Sequence, residues 1–194
     1  MKKYRMWAAD KVAAVRALAF TATLATAATV IAQRPIPSEQ WDRESHVTLA
    51  KAFVGEGGWE AQRDWDGIAY VLARRWSQAV GRNPSMRFVD MVRAYCAPLR
   101  GKRPKKRRQQ WIRALTIEGA QPAHWPAHRV DWADRVGSWR AALTRAAEWA
   151  QGEVADPCRG RAFHWGSKSD PVPAGHTRIR CGDTLNRFYE RERR

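Results

Sequence analysis

The feature that most limits what this chain can become is the run Trp65, Ile68, Ala69, Leu72, Ala73 and Trp76. These residues fall at i, i+3, i+4, i+7, i+8 and i+11, a single stripe on a helix of 3.6 residues per turn. Two tryptophans on one stripe need a broad apolar surface opposite them, which makes this helix part of a packed interior. Asp64 stands where an N-cap would be, and Gly81-Arg82-Asn83-Pro84 ends the run.

Other helical stretches surround it. Ser38, after the Pro-marked linker Gln33-Arg34-Pro35-Ile36-Pro37, is placed to cap a helix running to about Val54. Ser85 opens a third, from Met86 to about Tyr95, which Ala97-Pro98 closes. A fourth is expected from about Pro104 to Leu115. After the loop Gln121 to Pro126, a last long helix starts near Asp131, with Val136, Trp139, Leu143, Ala146, Ala147 and Trp149 on one face. From Gly152 onward the chain is rich in Gly and Pro and shows no strand alternation. The fold class read from these patterns is mainly α, closed by an irregular C-terminal segment.

The N-terminus reads as a targeting segment. Met1-Lys2-Lys3-Tyr4-Arg5 is basic, and residues 17 to 32 form an uncharged run rich in Ala, Thr, Leu and Val that ends in Val30-Ile31-Ala32. That run is shorter than the roughly 20 residues a membrane-spanning helix needs. Residues 1 to 32 are therefore expected to be a signal peptide or a signal-anchor, and residues 33 to 194 the functional domain. The cysteines agree with export to the periplasm or beyond. Cys158 and Cys181 both lie in the loop-rich C-terminal part, where a disulfide helps most, whereas Cys96 sits in an apolar helical pattern as a buried free thiol.

Among the 194 residues, 35 Lys and Arg against 19 Asp and Glu give a net charge of +16, most of it outside residues 1 to 32. An anionic partner is implied: nucleic acid, a lipid surface or an acidic wall polymer. The run Arg100, Lys102, Arg103, Lys105, Lys106, Arg107 and Arg108 contains no acid and is either a docking patch for such a partner or a solvated loop. With 11 tryptophans, not all at core spacing, some are candidates for stacking on sugars or bases.

The strongest candidate for chemistry is Gly55-Glu56-Gly57-Gly58-Trp59-Glu60, where the apolar run Leu49 to Val54 breaks into glycines before the striped helix. A carboxyl between two apolar helices is partly desolvated, which favours its protonated form and suits a general acid. The alternative is a solvated Glu before a Gly cap. The second carboxylate such chemistry often uses would come from Glu60, Asp64 or Asp66.

The block Leu49 to Glu60, followed by Ile68-Ala69-Tyr70-Val71-Leu72-Ala73-Arg74-Arg75-Trp76, resembles the cell-wall hydrolase family of the spore-cortex-lytic type. That pattern is an apolar helix ending in Gly-Glu, a second Glu four residues on, and an apolar helix closing in Asn-Arg, where this chain has Arg74-Arg75. Asp156-Pro157-Cys158-Arg159-Gly160-Arg161-Ala162-Phe163-His164-Trp165-Gly166 stands where the family has Asp-Pro-x-Gly-Gly-Ala followed by aromatics. The resemblance implies a lysozyme-like helical domain and a peptidoglycan-degrading glycosidase of muramidase or lytic transglycosylase type. It implies Glu56 as proton donor and Glu60 as possible partner, with no cofactor. Trp165 is then a stacking surface, His164 a hydrogen-bonding or positioning group, and Trp59 a cleft lining or a plug. Partners implied are peptidoglycan glycan strands and an anionic wall or membrane surface, the enzyme acting as a monomer without nucleic acid. A phage lysis enzyme, a bacterial remodelling enzyme and an antibacterial effector all fit.

Three other readings compete. A zinc enzyme would need ligands such as His124 and His128, but Pro126 between them opposes a shared helical face, and no HExxH is present. A nucleic-acid-binding module fits the basic run but not the export signal. The third is a non-catalytic wall-binding protein on a lysozyme-like fold, since a fold does not guarantee activity.

Overall fold

A computed structural model describes residues 35–58, 62–101, 103, 106–118 and 132–192. The expected targeting segment (residues 1 to 32), Trp59, Glu60, His124 and His128 lie outside these residues. Among the described residues five α-helices and three short strands follow in order: α1 (Arg43–Ala52), α2 (Gln62–Val80), α3 (Phe88–Tyr95), α4 (Arg107–Ala114), α5 (Trp132–Gln151), β1 (His164–Gly166), β2 (His176–Ile179) and β3 (Arg187–Arg191). The mainly α reading holds. Among the described residues no helix is long and apolar enough to cross a membrane.

The α2 stripe is the core, with Trp65, Ile68, Ala69, Leu72, Ala73 and Trp76 all buried. Trp65 stacks on Phe53 with ring centroids 5.6 Å apart, and Trp149 of α5 packs on Phe88 of α3 and on Trp41. On α5 the buried positions are Trp139, Ala142, Ala146, Trp149 and Ala150. Leu143 and Ala147 sit at the edge of that stripe, one step around the helix from the face expected. The buried indoles of Trp65, Trp76 and Trp139 donate to the Gly58, Met86 and Thr116 carbonyls, so these rings bring their polar edges into the core without loss.

Two helix starts differ from the sequence reading. Ser38 begins a separate 3-10 turn (Ser38–Gln40), and α1 is capped by Asp42, whose carboxylate accepts the Ser45 N–H at 2.7 Å. Asp64 is not a cap, because α2 already begins at Gln62 and carries Asp64 inside its first turn.

The larger correction is at the C-terminus. The segment expected to be irregular is a three-stranded antiparallel sheet in the order β1-β3-β2, with Trp165 opposite Phe188 and Phe188 opposite Ile179. Strands of three to five residues are too short to show alternation in sequence, and their order depends on pairings across many residues. The inward face (Trp165, Ile179, Phe188) covers α2.

The Cys158–Cys181 disulfide ties the start of this segment to the loop between β2 and β3, and Cys96 is the buried free thiol. A disulfide of this kind is compatible with an exported protein. The loop-closure estimate for a bridge of sequence separation 23 is about 3 kcal/mol. Cys158→Ser/Cys181→Ser is accordingly expected to lose about that much stability. Urea unfolding under non-reducing conditions checks this, and an unchanged midpoint would refute it.

One buried cation makes stability depend on pH. Lys51 of α1 donates to the Arg113 carbonyl at 2.8 Å, and burial, reinforced by Arg93 and Arg113, pushes its ammonium down to about 8. From there to the ordinary value of about 10.4, the unfolded chain holds a proton that the folded chain has lost. Lys51 therefore destabilises the fold below that window, and its cost fades as pH rises through it. Cys96 and Tyr95 act oppositely, because burial raises both and their unfolded forms ionise first. The stability advantage of Lys51→Met over the parent is thus expected to shrink between about pH 7 and about pH 10. A pH-independent difference in urea unfolding would contradict this.

Candidate active site

Glu56 does not sit on a simple helix end. After Ala52 the chain runs on as a π-helical turn, Phe53–Gly57, and leaves it at Gly58, whose φ of 82° is a left-handed conformation glycine adopts freely. Wide π turns recur at functional sites, because they turn a side chain out of the helical register. Phe53, Val54 and Gly55 are buried, and Glu56 emerges half-buried at the surface of the apolar core.

The segment after α3 clamps this turn. Pro98 lies so close to Gly55 that a Cβ there would stand 2.8 Å from the proline ring, which explains the glycine. One residue earlier the Ala97 N–H donates to Glu56 Oε1 at 2.7 Å. Ala97 is the first residue beyond the α3 cap at Cys96, where the backbone has turned extended and its N–H has left the helical ladder. In the sequence Ala97-Pro98 reads only as a helix stop. In the structure it orients the candidate acid.

Glu56 opens into a pocket of about 380 Å3 lined by Gly55, Ala97, Pro98, Lys106, Gln109, Trp165, Gly166, Ser167, Asp170 and Asn186. Elements from distant parts of the chain thus meet here: the π turn, the start of α4, β1 and its following turn, and the loop into β3. Asp170 is the other carboxylate lining this pocket among the described residues. It accepts the Ser167 N–H at 2.6 Å across the β1 turn. Sequence reasoning missed it, since Ser167-Lys168-Ser169-Asp170 reads as an ordinary polar turn.

The other carboxylates considered are committed elsewhere. Asp64 is fully buried and accepts the Leu185 and Asn186 N–H groups at 2.6 and 2.9 Å, while burial pushes its carboxyl above the ordinary range despite those bonds. Asp66 takes both arms of Arg145 at 2.7 Å, and Glu148 binds the same guanidinium at 2.8 Å. These last two line a hollow of about 660 Å3 that shares no residue with the Glu56 pocket.

Trp165 and His164 lie on β1, not in a loop. Trp165 is 7% exposed and packs edge-on against Tyr95 with centroids 5.0 Å apart, so it offers the pocket a wall, not an open stacking face. His164 points the other way along the strand and is not a pocket residue. Its Nδ1 meets the Tyr95 hydroxyl and Arg75. A guanidinium can only donate, so Nδ1 accepts and the ring proton is on Nε2. Burial, with the nearby Arg75 charge, holds His164 below the usual imidazole range and keeps it neutral.

Arg74 and Arg75 fasten the C-terminal segment to α2. Arg74 pairs with Asp156 and donates to the Ala162 carbonyl. Arg75 donates to the Phe163 carbonyl at 3.0 Å and lies over the Tyr95 ring. Asp156 also accepts the Cys158 and Gly160 N–H groups, which shapes the turn leading to the disulfide. These contacts set the height of β1, and with it Trp165, above the Glu56 turn.

Of the basic run, Arg100 folds back to donate to the Ala94 and Tyr95 carbonyls at the end of α3, and Lys106 lines the pocket. Among the described residues no group of His, Cys, Asp and Glu is arranged to hold a metal ion. Compared with known proteins, the chain matches no family model, no curated protein and no solved structure.

Proposed function

We propose that this chain is a glycosidase that cleaves the glycan strands of peptidoglycan, with Glu56 as the proton donor. The observation that carries the reading is the placement of Glu56: held through Oε1 by the Ala97 N–H, half-buried beside an apolar core, and facing a pocket with an indole wall and a second carboxylate. A helical core that delivers a Glu to a cleft edged by a small sheet is the arrangement expected of a lysozyme-like domain. The net positive charge favours approach to an acidic wall polymer.

In this scheme Glu56 protonates the glycosidic oxygen as the C1–O bond breaks and an oxocarbenium-like centre develops. If Asp170 takes a proton from water attacking C1, the product is a new reducing end. If a hydroxyl of the same sugar attacks instead, Glu56, ionised by its first proton transfer, takes that hydroxyl's proton, and the product is an anhydro ring made with a single carboxyl. Asp170→Asn is expected to lower the hydrolytic rate about 100-fold while wall binding persists.

The test is the chemical class of the product. Incubation with isolated peptidoglycan should release fragments bearing new reducing or anhydro sugar ends, and a chelator should not alter the yield. Release of free peptides without new sugar ends would replace this reading with an amidase. Sedimentation with the wall and no release would replace it with a binder.

A further inference from the structure

The pocket of Glu56 does not end at Asn186. The same residue lines an adjoining groove of about 580 Å3 whose walls carry Arg63 from the first turn of α2, Arg178 of β2, Arg180 just beyond it, and Arg187 at the start of β3. Its lining holds one acid, Asp183. Among the described residues none of these four arginines forms an ion pair, whereas Arg74, Arg87, Arg93, Arg145 and Arg161 all do. The buried Nε of Arg187 has no hydrogen-bond partner. Four guanidinium-bearing residues against the single groove acid Asp183, with Arg63 also drawn to the neighbouring Asp64, leave the groove net positive, which suits a bound anion. Planar guanidinium forks suit carboxylates, which they bind with two parallel hydrogen bonds.

Position narrows the ligand. The backbone of Leu185 and Asn186, pinned from below by Asp64, forms the lip between groove and pocket. A polymer with its scissile bond at Glu56 would lay its neighbouring substituents over that lip. We infer that the arginine groove is a subsite for the carboxylate-bearing peptide branches of the glycan strand whose backbone enters the Glu56 pocket. The inference rests on the glycosidase reading and adds the part of the substrate that this reading leaves unspecified.

The experiment compares the full-length parent with Arg178→Gln/Arg180→Gln, two exposed side chains, and with Arg82→Gln/Arg140→Gln as a charge-matched control. Each is assayed on glycan strands carrying their peptides and on the same strands stripped of them. On peptide-bearing strands the groove variant should show KM raised about 10-fold with kcat little changed, as expected for loss of one charge-assisted contact. On stripped strands it should match the parent, and the control should match the parent on both. Equal kinetics of groove variant and parent on peptide-bearing strands would overturn the inference. So would an equal loss on both substrates, or the same loss in the control.

A separate titration uses a short synthetic peptide with two free carboxylates. Binding by the parent that weakens in the groove variant supports the subsite even if neither strand is cleaved, in which case the glycosidase reading alone has failed. No binding by the parent, together with equal kinetics, would sink the subsite and leave that reading standing.

Discussion

Glu56→Gln is expected to lower the rate of glycan release about 1000-fold, the middle of the range for loss of a general acid. The fold should hardly notice. Gln keeps the size of the side chain and can still accept the Ala97 N–H through its carbonyl oxygen, so thermal unfolding should shift by no more than about 2 °C. Glu56→Asp retains the carboxyl but withdraws it by one methylene from a clamp built by Gly55, Ala97 and Pro98, and is expected to lose about 100-fold. Rates and melting curves on the same preparations separate the two effects. A rate loss accompanied by a large drop in melting temperature would make Glu56 a structural residue.

Asp64→Ala is the substitution expected to cost most in stability. Asp64 is fully buried and serves two backbone N–H groups more than a hundred residues away in sequence. Removing it orphans both donors in the interior, at about 1–3 kcal/mol each, partly offset because a buried carboxylate is itself unfavourable. A net loss of about 3 kcal/mol in urea unfolding is expected. Activity should also fall in the surviving folded fraction, since Asn186 lines the pocket of Glu56. Asp66→Ala is the contrast. It breaks a bidentate pair with Arg145, the two side chains being 17% and 38% exposed, but leaves that guanidinium its bond to Glu148, and should cost about 1 kcal/mol. Equal costs for the two substitutions would contradict the role given to Asp64.

These two aspartates mark the limit of what the sequence discloses. The stripe from Trp65 to Trp76 is legible because its period arises within one helix, and every member is buried. Glu56 is legible because glycines interrupt an apolar run on both sides of it. The cysteine pair is legible because both thiols fall in a segment with little core of its own. Asp64 reads as a cap in the sequence because its partners, Leu185 and Asn186, lie outside any local window. The sheet reads as irregular in the sequence because β1 and β2 are stabilised by pairing with β3 and by cover over α2, not by their own alternation. Asp170 is illegible for a third reason. Its turn is ordinary, and only the tertiary arrangement, with Arg74 and Arg75 holding the segment that leads into β1, brings it to the pocket of Glu56.

In the proposed scheme the carboxyl of Glu56 breaks the glycan strand. The decisive measurement is mass spectrometry of the soluble products from isolated peptidoglycan treated with equal amounts of parent and Glu56→Gln protein. The parent is expected to release fragments with newly formed sugar ends and the variant none above background. The same fragments in equal yield from both would contradict it.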